Sequence, residues 1–379
     1  MFFKTFCLFL ILSPAIISQQ FSTITFNIIT NFDKNDSSKV FITGSYPELG
    51  NWNPAIVGLM KVSDTLWTKS FTLTNGTEIE YKFTLGTWES EALNENKQVP
   101  QNSVLSIQRD TIITLKITNW GKQISPLVYG QITGKVNYHH NFNADKIADR
   151  DLIVWLPPGY DENTDERYPV LYMHDGQNII DPATSSFGFD WQVDETADSL
   201  IRSGDIQKII IVGINNSKNR WVEYTPGDTG KAYMDFIVNK VKPFIDSHYR
   251  TLSDRENTAI GGSSLGGLIS FMMVWEYPEV FSKAICVSPA FQIGALDYVQ
   301  NVLQYSGQKK QVKIYIDNGG VGLDKRLQPG VDEMLRALNS RDFMQGRDIY
   351  YYFDTNAQHS EKFWASRFWR ALKFLFAVN

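Results

Sequence analysis

The stretch Gly262-Ser263-Ser264-Leu265-Gly266 sets a serine in the middle of a Gly-x-Ser-x-Gly turn. A hydroxyl in that position can act as the nucleophile of acyl transfer if the turn is sharp enough to present it. The flanks have the right character. Thr258-Ala259-Ile260 has the composition of a buried strand, and Leu268-Ile269-Ser270-Phe271-Met272-Met273-Val274-Trp275 that of a buried helix. Neighbours lacking a Cβ let strand and helix close beneath a strained residue. Ser264 is therefore the expected nucleophile, and the N–H of Leu265 would face the oxyanion that forms when it attacks. The competing reading, a Gly/Ser-rich loop without chemistry, does not account for the strand before and the helix after.

A serine needs a base to take its proton and an acid to orient that base. In α/β-hydrolases the three follow in the order Ser, acid, His. Of the histidines His139, His140, His174, His248 and His359, only His359 follows Ser264. It lies between Ile349-Tyr350-Tyr351-Tyr352-Phe353, the last predicted strand, and a final helix predicted over 363–376. Two acids compete. Asp317 directly ends the predicted strand Val312-Lys313-Ile314-Tyr315-Ile316, whereas Asp324 closes the loop Gly319-Gly320-Val321-Gly322-Leu323, whose glycines could fold it back toward His359. Asp324 is preferred and Asp317 stays open. No close His, Cys and carboxylate cluster with metal-site spacing stands out, so neither a metal nor another cofactor is expected.

These residues need a scaffold, and from about Asp151 the pattern supplies one. Leu152-Ile153-Val154-Trp155-Leu156, Val170-Leu171-Tyr172-Met173, Ile209-Ile210-Ile211-Val212-Gly213-Ile214 and Ala284-Ile285-Cys286-Val287 are near-continuous apolar runs, as strands buried on both faces are. Apolar residues recur at helical spacing through Tyr233, Phe236, Ile237, Val241, Phe244 and Ile245, and again through Val331, Met334, Leu335 and Leu338. This predicts a doubly wound α/β-hydrolase domain with a mostly parallel sheet over residues 138–379. Residues 20–120 alternate instead with period two, in short runs such as Thr23 to Ile28, Val40 to Gly44, Trp67 to Leu73, Ile79 to Leu85 and Thr111 to Ile117, and predict a small all-β sandwich. Gly121, Ser125, Pro126, Gly130 and Gly134 punctuate a predicted linker over 121–137.

Residues 1–18 have the form of a signal peptide: Lys4, an apolar run from Phe6 to Leu12, then Ala15-Ile16-Ile17-Ser18. The expectation is a secreted or periplasmic protein with no transmembrane segment. Once Cys7 leaves with the signal only Cys286 remains, so no intrachain disulfide can form. Sequons at Asn35, Asn75 and Asn215 matter only if the host glycosylates exported proteins. The net charge of −5 argues against nucleic acid and anionic membranes as partners.

Two resemblances sharpen the reading. Gly44-Ser45-Tyr46-Pro47-Glu48-Leu49-Gly50-Asn51-Trp52, Glu80-Tyr81-Lys82-Phe83 and Thr87-Trp88-Glu89-Ser90 make the N-terminal part similar to a starch-binding domain of the carbohydrate-binding module family 20 type. The resemblance implies a sugar site at Trp52, Lys82, Trp88 and Asn94, with indole faces stacking on sugar rings and Lys and Asn bonding hydroxyls. Glu95 stands where the family usually has an arginine. Trp67, in mid-strand, is instead a packing residue. The C-terminal part resembles the esterase D-like group of α/β-hydrolases, which includes feruloyl and acetyl xylan esterases, siderophore esterases and mycolyltransferases. The likeness rests on Leu171 to Asn178, Arg220 to Pro226, Gly262 to Gly267, Ser288-Pro289-Ala290-Phe291, and His359-Ser360-Glu361 with Trp364. It implies that Gln177 supplies the second oxyanion N–H, that His174 is a scaffold residue, and that the acid ends a glycine turn, as Asp324 does. The function expected is a secreted, carbohydrate-directed serine esterase of acetyl or feruloyl type whose partners are a polysaccharide and an ester. The alternatives are a siderophore or other small-molecule esterase and a non-catalytic glycan-binding surface protein.

Overall fold

The computed structural model describes residues 20–32, 38–97, 99–121, 132–186 and 188–378. The stretch read as a signal peptide, most of the predicted linker and the Asn35 sequon lie outside the described residues.

The N-terminal part is a sandwich of two four-stranded sheets. One runs Met60–Lys61, Leu66–Thr74, Phe21–Ile29, Thr111–Lys116, and the other Val57–Gly58, Phe41–Gly44, Glu78–Thr84, Ser103–Ser106. Period-two sequences produce this arrangement because alternate side chains go to opposite faces. Ile24, Phe26 and Ile28 point inward and meet Phe71, Tyr81 and Phe83, with the Phe26 and Tyr81 rings 4.8 Å apart. Trp67 belongs to the same core. Phe21–Ile29, Phe41–Gly44, Leu66–Thr74, Glu78–Thr84 and Thr111–Lys116 match the predicted runs, whereas 57–58, 60–61 and 103–106 were not predicted.

The larger part is built on an eight-stranded sheet. From edge to edge it runs Lys135–Phe142, Arg150–Leu156, Ile210–Ile214, Val170–His174, Thr258–Ser263, Lys283–Val287, Lys313–Gly319, Ile349–Asp354. Arg150–Leu156 runs against its two neighbours, and the strands from Ile210–Ile214 to Ile349–Asp354 are all paired in parallel. The apolar runs are continuous because both faces are covered. Leu152, Val154, Tyr172 and Val212 join one core with the helices Asp228–Phe236, Leu265–Glu276 and Leu323–Asn339. Ile153, Leu171, Met173 and Ile211 join the other with Val193–Arg202 and Glu361–Phe376. Each large apolar side chain fully buried here contributes roughly 1.5–3 kcal/mol.

Two elements depart from expectation. The edge strand Lys135–Phe142 begins within the segment predicted as linker; half-exposed and carrying two histidines, it lacks the apolar run of its neighbours. The helix Val193–Arg202 was not predicted, since its buried Val193 and Ala197 are scattered among acids.

The two parts touch. On Glu78–Thr84 the residues turned away from the sandwich core include Glu80 and Lys82. Glu80 lies so close to Gly322 that a Cβ there would meet its carboxylate at 3.0 Å, and the Arg326 guanidinium donates to the Ser45 carbonyl at 3.4 Å. Gly294 lies against the Asn51 side chain.

Candidate functional site

Ser264 falls between the strand Thr258–Ser263 and the helix Leu265–Glu276, with φ 57° and ψ −121°. A non-glycine residue held there stores on the order of 1–3 kcal/mol of strain, so its neighbours must hold it. Its N–H donates to the Val287 carbonyl at 2.9 Å, and its carbonyl accepts from the N–H groups of Leu268 and Ala290 at 3.0 Å. The flanking glycines sit in tight surroundings. A Cβ on Gly262 would lie 2.9 Å from the Gly266 carbonyl, which requires glycine there, and one on Gly266 would come within 3.3 Å of Asp175 Oδ2. Leu265 opens the helix, where unpaired N–H groups and the helix dipole favour negative charge.

Asp324 lies in the first turn of Leu323–Asn339, wholly buried, and its Oδ1 pairs with His359 Nδ1 at 2.5 Å. Its Oδ2 accepts from Gly319 N–H and the Ser288 hydroxyl, both at 3.0 Å. Gly319 and Gly320 allow this approach, since a Cβ on either would run into the backbone of Ala357 or Thr355. The Ser288 hydroxyl in turn accepts from Trp364 Nε1 at 3.1 Å and Arg367 at 2.7 Å. Val287 and Ala290, the residues that bond the Ser264 backbone, flank Ser288, so the Ser264 turn and the Asp324–His359 pair share one neighbourhood. Asp317 has other partners. Arg367 Nε lies 3.0 Å from its Oδ1, and the Tyr315 hydroxyl donates to Oδ2 at 2.9 Å. Burial pushes the Asp317 carboxyl up despite that arginine.

Gln177 sits in the short 3-10 turn Gly176–Asn178, after Asp175 at φ 57°. Asp175 anchors this loop. It accepts two bonds from Arg220, at 2.7 and 2.8 Å, and one from Asn216 at 2.6 Å. Burial raises its carboxyl, but the guanidinium outweighs that and holds it below its ordinary range. His174 is buried, pushed down to about 3 by desolvation, and bonded through Nδ1 to the Tyr233 hydroxyl at 2.8 Å. It is thus a neutral packing group under the loop. Glu361 is buried two residues after His359, and burial lifts its carboxyl to about 8.

Ser288, Arg220 and Arg367 received no role from the sequence. A signal was present for Arg367: it falls three residues after Trp364 on the apolar face of the last helix, where a charge needs a partner.

In the sandwich, the Trp52 and Trp88 rings come together, 6.4 Å apart and tilted by 33°. Lys82 pairs with the buried Glu91 at 2.9 Å and interacts electrostatically with Glu361 across the domain contact. Asn94 is exposed, its side chain accepting from the Asn96 N–H. The sequence spacing singled out no close cluster of metal-ligating side chains, but in the fold Asp190, Asp194 and Glu195 place ligand atoms within 4.8 Å of one another.

A family model described as "Putative esterase" matches residues 148–375, and one for a starch binding domain matches residues 21–109. The chain is 22% identical over 266 residues to the uncharacterized protein YbbA of Bacillus subtilis, covering 63% of this chain and 97% of that one. It is 31% identical over 136 residues to an endo-1,4-beta-xylanase/feruloyl esterase of Xylanibacter ruminicola, which spans 34% of this chain and 18% of that one. Among solved structures, a ferulic acid esterase superposes with TM-score 0.53 at 22% identity, over 64% of this chain and 98% of that one. The enterobactin esterase FES of Shigella flexneri superposes with TM-score 0.54 at 12% identity, over 93% of this chain and 92% of that one. At these identities the structural likeness is one of fold. No helix among the described residues is long and apolar enough to cross a membrane.

Proposed function

The chain belongs to the esterase family, with a starch-binding domain before the esterase domain, and from that premise we propose an exported serine hydrolase that cleaves acetyl or feruloyl esters carried by carbohydrate. One observation carries the chemistry. His359 is bonded through Nδ1 to the buried Asp324, which leaves Nε2 as the nitrogen able to take the proton of Ser264 on its strained turn. In this reading Ser264 Oγ attacks the ester carbonyl while His359 takes its proton. The N–H groups of Leu265 and Gln177 stabilise the oxyanion. His359 then protonates the departing alcohol, and the acyl-enzyme is released by water, with the same imidazole acting as base. Asp324 fixes the tautomer and stabilises the imidazolium.

The substrate class is supported by the starch-binding domain and by the partial match to a xylanase/feruloyl esterase. Export is supported by the character of residues 1–18. A siderophore ester is the weaker reading: the enterobactin esterase superposes over 93% of this chain, but this chain is acidic, and an anionic siderophore calls for a basic pocket.

The test is a panel of acetylated xylan, methyl ferulate, a catecholate siderophore ester and p-nitrophenyl acetate, run on the wild type, Ser264→Ala and Ser263→Ala. Ser264→Ala should lose on the order of 10³-fold or more in kcat with an unchanged circular dichroism spectrum, while Ser263→Ala retains most activity. An inactive Ser263→Ala beside an active Ser264→Ala would move the nucleophile. Hydrolysis confined to the siderophore ester would replace the carbohydrate substrate.

A further inference from the structure

Asp190, Asp194 and Glu195 lie at the N-terminal start of the helix Val193–Arg202, with ligand oxygens all within 4.8 Å of one another. Asp190 and Asp194 are buried, and Glu195 is half-buried and opens the cluster to solvent. Asp194 is 0% exposed, and its two oxygens differ. Oδ2 accepts from the N–H and hydroxyl of Thr133, at 2.6 and 3.1 Å, whereas Oδ1 is buried with no hydrogen-bond partner. No donor reaches the buried Glu195 Oε2 either, and its carboxyl lies against that of Asp194 within hydrogen-bond reach. Among the described residues no Lys, Arg or His forms an ion pair with any of the three, and Asp181 adds its own negative field at Asp190. Buried carboxylates so placed need either shared protons or a cation. The helix dipole eases one such charge but falls off within the first turn, so it does not compensate three.

We propose that Asp190, Asp194 and Glu195 bind a hard divalent cation of calcium's size. Calcium takes oxygen ligands at about 2.3–2.6 Å, so two oxygens on opposite sides of it stand up to about 5 Å apart, and oxygens within 4.8 Å of one another can share one such ion. The smaller magnesium ion needs a tighter cage. Three carboxylates leave room for water through the open Glu195 side to complete the shell. The ion would join three segments. Asp190 ends the loop that follows Gly176–Asn178, where the Trp191 N–H donates to the Asn178 carbonyl at 2.9 Å. Asp194 and Glu195 begin the helix, and Thr133 leads into the first strand of the large sheet. Bound calcium would thus brace the segment that carries Gln177.

The experiment uses the full chain, stripped with EGTA and then titrated with calcium chloride or magnesium chloride. Calorimetry should find one calcium per chain. The thermal midpoint should rise on the order of 5 °C when calcium is about 100-fold above its Kd, and magnesium should do less. Asp194→Asn and Glu195→Gln should each abolish the heat and the shift. Glu195→Gln, at a half-exposed position, serves if the buried substitution does not fold. A wild type that ignores calcium, or variants that respond as the wild type does, would overturn the site. A midpoint that follows pH but not calcium would mean that the carboxyls share a proton, and would overturn it as well.

Discussion

Asp317 and Asp324 are both wholly buried carboxylates on adjoining elements, and their partners give them different work. Asp324 holds His359 and receives bonds from Gly319 and Ser288, whereas Asp317 is the nearer partner of Arg367, at 3.0 Å against 3.8 Å for Asp324. Replacing one partner of a buried ion pair leaves a charge uncompensated, typically at about 3–5 kcal/mol. Asp317→Asn should therefore lower the thermal midpoint sharply while kcat, measured well below that midpoint, stays close to wild type. Asp324→Asn should reduce kcat by on the order of 10⁴, as loss of the orienting acid does in triads. Steady-state rates on p-nitrophenyl acetate beside thermal melts separate the two. Full activity in Asp324→Asn would take that residue out of the proposed triad.

The strand Val170–His174 delivers the loop that carries Gln177, and its last residue carries a testable pH signature. His174 is buried against Tyr224 and Tyr233, and desolvation takes its imidazole down to about 3 from an ordinary value of about 6.5. Unfolding exposes a group that binds a proton more readily. Its contribution is complete above about pH 6.5 and is lost as pH falls toward 3, by about 1.4 kcal/mol per pH unit. His174→Gln, which keeps a polar group near the Tyr233 hydroxyl, should be less stable at neutral pH but lose stability more gently between pH 6.5 and 5. Urea midpoints across that range measure the slope, and parallel slopes for the two proteins would mean that His174 is not the titrating group.

At the scale of the molecule, the sandwich and the large domain keep separate apolar cores but share a polar seam. Asn51, next to Trp52, lies against Gly294, and Lys82 feels Glu361 two residues beyond His359. The Trp52–Trp88 pair is therefore beside the large domain rather than remote from it. Trp52→Ala with Trp88→Ala should remove retention on insoluble starch or xylan, since stacked indoles supply large contact area at small entropic cost. It should leave the rate on a small soluble ester within about twofold, and lower the rate on polymer, where tethering raises local substrate concentration. Unchanged retention in a pull-down would make the pair packing residues. A large loss on the small ester would mean that the seam itself supports the catalytic residues.

Local chemistry was legible in the sequence because its causes are local. Period-two alternation marked the sandwich strands, continuous apolar runs marked the strands of the large sheet, and the glycines around Ser264 and at 319–322 marked the two tight turns, each depending on residues a few positions apart. The candidates Ser264 and His359 followed from motif and order alone. What joins those pieces depends on contacts across the fold. Asp324 meets His359 across 35 residues and Asp175 meets Arg220 across 45, so the choice between Asp324 and Asp317 as the partner of His359 required the sheet order that sets both acids beside Ser288. The edge strand at 135–142, the carboxylates gathered before Val193–Arg202 and the seam between Lys82 and Glu361 are likewise products of packing. Their side chains are polar or half-exposed, and polar side chains leave no hydrophobic period by which a sequence can announce where they will meet.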